Sequence, residues 1–364
     1  MLKYILIFFL ISTSLYAVSL KELLNSIEVT NENYQAQQAL QQMAKKQYES
    51  ASKDNFPTLN LIGAYENNSK VLEHEPEDIL YGELKASYTL YDGGRITNNK
   101  SAKKSLHESQ KFNTQYLKQE IMLDVIREYF SFQNSKSAIE VLNYKINELD
   151  EQIKKSEILV KNDLVTKDKL QALIASKKES LYDIETLKID LENSILQLSL
   201  LTGLDILPKD DDKLLEPIYK EEQRYDIEAK KLEAQSLKYN EKMHNYLPTI
   251  SINNSLKKQK YLDYDEIYND KLNNQISLQI NFPIFDFGKI SKDKEASQLE
   301  TLALNKEIEY KEKSIQIERK LALKSLESSK IKLDSAIAAL EATNTTYDFS
   351  KKRFDANLIS YTEY

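Results

Sequence analysis

The chain has 364 residues, with 50 Lys and Arg against 57 Asp and Glu, a formal net charge of −7 and no cysteine. This balance argues against a nucleic-acid partner, because binding phosphates requires a surplus of basic residues. A chain without cysteine forms no disulfides and offers no thiol ligand to a metal. With six Gly, six Pro and 29% charged residues, the composition is typical of long helices and coiled coils.

Residues 1–17 have the layout of a secretory signal peptide. Lys3 supplies the charged start, residues 5–11 form an apolar core, and a Leu-Tyr-Ala sequence ending at Ala17 suits signal peptidase. No later segment has the roughly 18 consecutive apolar residues of a membrane helix, so a mature chain that enters a membrane does so as strands. The sequence therefore predicts an exported protein, either a soluble periplasmic protein or a barrel.

The first structural repeat is predicted over residues 18–203. Residues 19–54 contain no Gly or Pro and are predicted to be helical, and Pro57 then marks a strand start, where a missing N–H is tolerated. The remaining elements are a pair of strands at about 57–68 and 82–92 and a helical hairpin at 95–203. The first helix of this hairpin would be roughly 100 Å long at about 1.5 Å per residue.

A second repeat is predicted over residues 221–364, after a linker at 204–220. Its elements have the same order: a helix at 221–245, strands at about 248–256 and 274–286, and a long helix at 289–356. Three ordered matches indicate an internal duplication: Pro57 with Pro248, Asp92-Gly93-Gly94 with Asp286-Phe287-Gly288, and DLVTKDKL at 163–170 with NLISYTEY at 357–364. Because the second copy ends at the equivalent of Leu170, we expect the C-terminal helix to be missing and the chain to be a fragment.

The predicted strands alternate apolar and polar residues, so one face of each strand is apolar. The apolar members are Leu84, Ala86, Tyr88 and Leu90 in the first repeat and Ile276, Leu278 and Ile280 in the second. Half-buried strands of a soluble sheet would show the same alternation. The long helices favour the barrel over the soluble sheet, because a small sheet is too short to pack along a helix of this length. Apolar stripes at coiled-coil spacing indicate helix packing: Leu142, Ile146, Leu149 and Ile153, then Ile184, Leu187, Leu191, Ile195 and Leu198.

Two matching turns join a strand to a long helix, and they consist of Asp92, Gly93 and Gly94 in the first repeat and of Asp286 and Gly288 in the second. The chain must pass from strand to helix within a few residues. Glycine adopts the backbone angles that such a corner needs, and the preceding aspartate can cap the new helix. We therefore interpret both aspartates as structural caps.

These motifs, in this order and present twice, resemble the TolC family of outer-membrane efflux channels. The resemblance implies a mixed α and β membrane protein, a homotrimer in which each chain gives four strands to a transmembrane β-barrel. The helices would continue the barrel as a coiled-coil periplasmic tunnel, located in the cell outer membrane and the periplasm. The implied function is the exit duct of a tripartite efflux pump or type I secretion system. Its implied partners are a periplasmic adaptor, an inner-membrane ABC or RND-type transporter, and outer-membrane lipid.

The resemblance also implies roles for the two helical tips. Similar proteins carry Gly-Leu-Val or Gly-Leu-Ile there and dock an adaptor, which gives Asp163, Leu164 and Val165 at one tip and Asn357, Leu358 and Ile359 at the other. Asp and Asn replace the glycines, and both visit the left-handed region more readily than most residues. Glu363 falls at the family's acidic pore constriction. The polar links that close the family's channels are not matched, since Phe354, Ile359 and Lys169 stand at their positions.

No motif of an enzyme, a metal site or a cofactor site is present, so we expect a protein that is not an enzyme and has no cofactor. His74, His107 and His244 lie far apart without metal-like spacing. The alternative function is a periplasmic adaptor (membrane fusion) protein, which also carries helical hairpins. Adaptors insert one hairpin between glycine-rich domains, whereas this sequence predicts two hairpins and strands of membrane length. The transported substrate and the class of transporter cannot be read from the sequence.

Overall fold

The computed structural model describes residues 17–68, 77–205, 207–209, 224–262, 272–356 and 358–359. The predicted signal peptide, apart from Ala17, and most of the predicted linker lie outside the described residues. The chain divides into two compact units, one up to Gln298 and one from Leu299 onward.

Six helices are present in the described parts of the chain. Their bounds are α1 Leu20–Thr30, α2 Glu32–Ala51, α3 Arg95–Lys161, α4 Lys167–Thr202, α5 Tyr225–Met243 and α6 Lys289–Asp355. Among the described residues, no helix is both long enough and apolar enough to cross a membrane.

The single helix predicted over residues 19–54 is wrong, because the chain breaks at Asn31 into α1 and α2. Asn31 is buried, and its side-chain oxygen accepts a hydrogen bond from the N–H of Tyr34, 2.7 Å away, which caps α2. Its side-chain nitrogen donates to the carbonyl of Leu201, 2.6 Å away near the end of α4. The break therefore fixes the two short helices against the end of the hairpin.

The main sheet has four antiparallel strands in the order β2-β3-β5-β6. The strands are β2 Thr58–Asn67, β3 Asp78–Tyr91, β5 Thr249–Tyr261 and β6 Leu272–Asn281, while β1 Ala17–Val18 and β4 Leu207–Pro208 form a separate parallel pair. The predicted strand at 274–286 is too long at its end. Its partner β5 begins at Thr249, opposite Asn281, so the residues beyond have no strand to pair with. β2 and β6 are the two edges of the sheet.

The duplication predicted from the sequence is present in the fold. Helices α3 and α6 have 67 residues each, and their first residues, 95 and 289, differ by 194. Strands β2 and β5 begin at residues 58 and 249, a difference of 191. Both differences equal the offsets of the sequence matches. Residue equivalence between the copies is therefore fixed on both sides of each hairpin loop.

The hydrophobic core lies among the helices, where α1, α2, α3 and α4 meet. Its buried members are Leu23, Ile27, Tyr34, Ile121, Val125, Tyr129 and Leu198. The hydroxyl of Tyr129 donates to the carbonyl of Lys209, 2.6 Å away, so the core extends to the end of β4. Along the hairpin, Leu149 of α3 and Ile184 of α4 are buried, as the coiled-coil stripes predict. The four-stranded sheet contributes no residue to this core.

Candidate functional site: a two-faced sheet, its turns and the helical tips

The sheet has one apolar and one polar face, and the strand register shows this row by row. Leu278, Ile252 and Tyr88 lie in one row across three strands. The adjacent row, on the opposite face, is wholly polar and consists of Ser277, Asn253, Ser87 and Thr58. In the single chain the apolar side chains of the edge strands are exposed: Leu59 by 68%, Leu61 by 82%, Ile276 by 69%, Leu278 by 62% and Ile280 by 63%. An apolar surface of this extent requires a cover.

The first strand-to-helix turn is organised by the carboxylate of Asp92. One oxygen accepts a hydrogen bond from the N–H of Gly94 at 2.9 Å, and the other accepts from the N–H of Ile96. Both glycines have positive φ, 73° at Gly93 and 79° at Gly94. Gly94 occupies the N-cap position, immediately before the helix. Asp92 lies two residues before Gly94, and its side chain satisfies the otherwise free N–H of Ile96 in the first helical turn. The chain thereby changes from β3 to α3 in three residues.

Arg95 joins this turn to the second repeat. Its guanidinium donates to the carbonyls of Asn245 and Leu247, at 2.7 and 3.0 Å, and also to the carbonyl of Asp92 at 2.7 Å. In the opposite direction, the side-chain nitrogen of Asn245 donates to the carbonyl of Gly93, 3.2 Å away. The connection between α5 and β5 is therefore bonded directly to the turn of the first repeat. Sequence reasoning missed both Arg95 and Asn245, because the pair lies about 150 residues apart without a local signal.

Gly93 is required by contact as well as by conformation. A Cβ at this position would lie 2.7 Å from the Cβ of Leu247 and 2.8 Å from the side-chain oxygen of Asn245. Real Cβ atoms hardly ever approach other atoms so closely. The α5–β5 connection thus packs against the bare backbone of the turn.

The second turn repeats the first with other side chains. Asp286 accepts from the N–H of Gly288 at 3.0 Å and from that of Ile290 at 2.7 Å. These hydrogen bonds lower the pKa of Asp286, and the bond from Ile290 has the largest effect. The hydroxyl of Tyr246 donates a further hydrogen bond to the carboxylate at 2.9 Å. Phe287 takes the place of Gly93 and keeps a positive φ of 55°. Its side chain is 92% exposed.

The first helical tip ends α3 in a Schellman motif, with Asp163 in the left-handed region at φ 57°. The N–H of Leu164 donates to the carbonyl of Leu159 at 2.9 Å, and that of Asp163 donates to the carbonyl of Val160 at 3.1 Å. Leu164 is 70% exposed and Val165 is half-buried. In α4, a hydrogen bond with the Thr166 side chain lowers the pKa of Asp168.

The second tip, described by itself, follows α6 and keeps one hydrogen bond of the first tip. The N–H of Leu358 donates to the carbonyl of Arg353 at 2.8 Å, the equivalent of the bond between Leu164 and Leu159. Leu358 is 70% exposed and Ile359 is half-buried. Asn357 and Glu363 lie outside the described residues, so their predicted roles stay predictions. Within the described part of the chain, no cluster of His, Cys, Asp or Glu could hold a metal ion.

The arrangement of a two-faced four-stranded sheet followed by long helices is that of solved outer-membrane channels. The chain is similar to the CmeC outer membrane channel of Campylobacter jejuni, with 17% identity, a TM-score of 0.80, and coverage of 95% of this chain and 78% of that one. It is similar to the outer membrane protein VceC of Vibrio cholerae, with 13% identity, a TM-score of 0.77 and coverage of 94% and 87%. A membrane protein from Pseudomonas aeruginosa has 16% identity, a TM-score of 0.83 and coverage of 96% and 83%.

Residues 23–162 match the family model described as Outer membrane efflux protein. The matched range runs from α1 through β2 and β3 to the end of α3, which is most of the first repeat. A comparison with curated protein sequences finds no significant match. The resemblance to the TolC family that the sequence motifs indicate is therefore confirmed by the family model in the first repeat and by the fold over nearly the whole chain.

Proposed function

We propose that the chain is an outer-membrane channel, the exit duct of a tripartite efflux pump or a type I secretion system, and that it works as a homotrimer. The observation that carries the proposal is the exposed apolar face of the sheet. The opposite face is lined by Ser, Asn, Gln and Thr together with the charged Glu83, Lys85 and Lys257. Lipid outside and water inside a barrel are the environments that such faces require.

Strand length and sheet edges support the same function. Strands β2 and β6 have 10 residues each, and a tilted strand needs about 9–11 residues to span the hydrocarbon core. A four-stranded sheet leaves two edges with unpaired N–H and C=O groups, which lipid does not tolerate. Three copies joined edge to edge, β6 of one to β2 of the next, close these edges in a barrel of twelve strands.

The long helices would form the periplasmic part of the duct. A 67-residue helix such as α3 extends roughly 100 Å at about 1.5 Å per residue, so it carries the tunnel from the outer membrane deep into the periplasm. The exposed Leu164 and Leu358 at the tips would dock a periplasmic adaptor, which connects the duct to an inner-membrane ABC or RND-type transporter. Asp163, Val165, Asn357 and Ile359 complete these docking tips, and Glu363 would form an acidic ring at the pore constriction.

The experiment is single-channel recording of the purified protein in planar lipid bilayers. We expect discrete conductance steps, together with a change in electrophoretic migration on heating, as for a barrel that unfolds only when heated. A periplasmic adaptor would neither insert nor conduct. Protein that is folded by circular dichroism but yields no conductance would contradict the proposed function.

A further inference from the structure

The two strand-to-helix turns differ in a way that the fold of one chain does not explain. Gly93 of the first turn and Phe287 of the second occupy equivalent positions, and both have positive φ. This conformation disfavours any residue with a side chain. Phe287 is also 92% exposed. An exposed aromatic ring on an unfavourable backbone conformation implies a contact that lies outside the single chain.

The first turn shows what lies opposite this position. The Cβ direction at Gly93 points to Leu247, whose Cβ is 2.7 Å from where that atom would be. Leu247 belongs to the α5–β5 connection of the neighbouring repeat. By the offset of 191, 247 − 191, its equivalent is Phe56 in the connection between α2 and β2. Within one chain Phe56 cannot take this place, because β2 and β6 are opposite edges of the sheet.

In the proposed trimer, the neighbouring copy would supply the missing connection. When β6 of one copy pairs with β2 of the next, the α2–β2 connection approaches the second turn as the α5–β5 connection approaches the first. That connection has six residues, 52–57, against five, 244–248, between α5 and β5. The two connections differ in length by one residue, so the contact that requires glycine at position 93 need not recur at position 287. Phe56 itself is 60% exposed.

We propose that Phe287 packs on Phe56 of a second copy of this chain and that this aromatic contact holds the copies together below the barrel. The proposal rests on the proposed trimer and adds the residues that join it. Phe285 takes part, since its ring centroid lies 4.6 Å from that of Phe287 and it is 73% exposed. Aromatic pairs of this kind contribute beyond the area they bury.

The polar side chains of the second turn fit an aromatic contact better than a hydrogen-bonded one. In the first turn, Nη2 of Arg95 donates to two carbonyls of the opposite connection, while Nη1 donates to the carbonyl of Asp92 in the turn itself. The equivalent residue of the second turn is Lys289, which pairs with Asp293 on its own helix at 2.9 Å. A lysine lacks the planar guanidinium, whose two terminal nitrogens hold the turn and the opposite connection at the same time. At the junction between copies, aromatic contacts therefore take the place of the guanidinium bonds of Arg95.

The test uses pairs of cysteines, and the chain has no native cysteine to interfere. Phe287→Cys with Phe56→Cys should be linked between copies by a short bifunctional maleimide, giving covalent dimers and trimers in native membranes. The comparison pair is Leu278→Cys with Tyr65→Cys. This pair is chosen by analogy with Leu84 and Leu256, which pair between β3 and β5 inside the chain. The equivalent of Leu84 in the second repeat is residue 278 (84 + 194), and the equivalent of Leu256 in the first repeat is residue 65 (256 − 191).

The two pairs separate the possible failures. Linking of both pairs supports the contact. Linking of the strand pair alone would show a trimer whose turns do not meet, and it would overturn the inference while leaving the proposed function intact. Linking of neither pair would remove the trimer and the contact together.

A second variant tests whether the ring faces protein or lipid. Phe287→Gly relieves the backbone conformation of the single chain, yet it should lower the temperature at which the trimer dissociates in detergent by about 5 °C or more. The control is Leu90→Ala in β3, a strand that is not an edge, and it should leave that temperature unchanged. An unchanged or raised temperature in Phe287→Gly would overturn the contact. Quenching of Phe287→Trp fluorescence by brominated lipid would do the same, because it would place the ring in the bilayer.

Discussion

Replacing Gly93 by alanine tests whether the first turn is packed as the structure shows. Two costs add at this position. The backbone φ of 73° disfavours an L-residue by roughly 1–2 kcal/mol. The new Cβ, 2.7 Å from the Cβ of Leu247, lies well inside the optimal carbon–carbon separation of about 3.5–4.0 Å, and overpacking of this kind costs about 1–3 kcal/mol.

Leu247 cannot easily move away, because Arg95 holds its carbonyl at 3.0 Å and that of Asn245 at 2.7 Å. We therefore expect Gly93→Ala to lower the free energy of unfolding by about 2–5 kcal/mol. The control is Gly288→Ala in the second turn. Its φ is 83°, and no heavy atom lies within 4 Å of the new Cβ. This variant bears the backbone cost alone, about 1–2 kcal/mol.

The assay is denaturant titration of each variant in detergent micelles, followed by helical circular dichroism. The difference between the two variants isolates the contact with the α5–β5 connection. If Gly93→Ala is no more destabilising than Gly288→Ala, the packing of that connection on the first turn is wrong.

Three further predictions concern the membrane face, the tips and pH. Leu278→Arg should cost about 2–4 kcal/mol near the bilayer midplane and Gln279→Arg much less, as measured by folding into lipid vesicles; equal tolerance would contradict the assigned lipid face. Leu164→Ser combined with Leu358→Ser should abolish export by cells while the trimer still assembles, and normal export would exclude the docking tips. Because the pKa of Asp286 is lowered in the fold, its stabilisation is complete above the ordinary aspartate pKa of about 3.9 and is lost as pH falls through the lowered value. Asp286→Asn should therefore weaken the fall in the free energy of unfolding as the pH is lowered. An unchanged dependence on pH would show that Asp286 does not stabilise the fold in this way.

The features that could be predicted from sequence are those with a local signal. The strand-to-helix turns follow from Gly93, Gly94 and Gly288, because few residues other than glycine adopt positive φ and the chain has only six glycines. The first tip follows from Asp163, which adopts the left-handed region as expected of aspartate. The length of α3 follows from the absence of Gly and Pro.

Features set by distant parts of the chain escaped prediction. The end of β6 at Asn281 depends on where its partner strand begins, although the apolar alternation continues further along the sequence. The fork of Arg95 acts on Asn245, a residue of the other repeat. Asn31 breaks a stretch that reads as one helix, because its side chain reaches Leu201 at the far end of the hairpin. In each case the physical cause is a contact between residues remote in sequence.

The central claim is that copies of this chain pool their sheets in a closed barrel. Native mass spectrometry of the protein, extracted from outer membranes in mild detergent, tests it most directly. We expect a single species with the mass of three chains, because four strands per copy leave two edges that only partner copies can close. A folded, membrane-extracted species with the mass of one chain would contradict it.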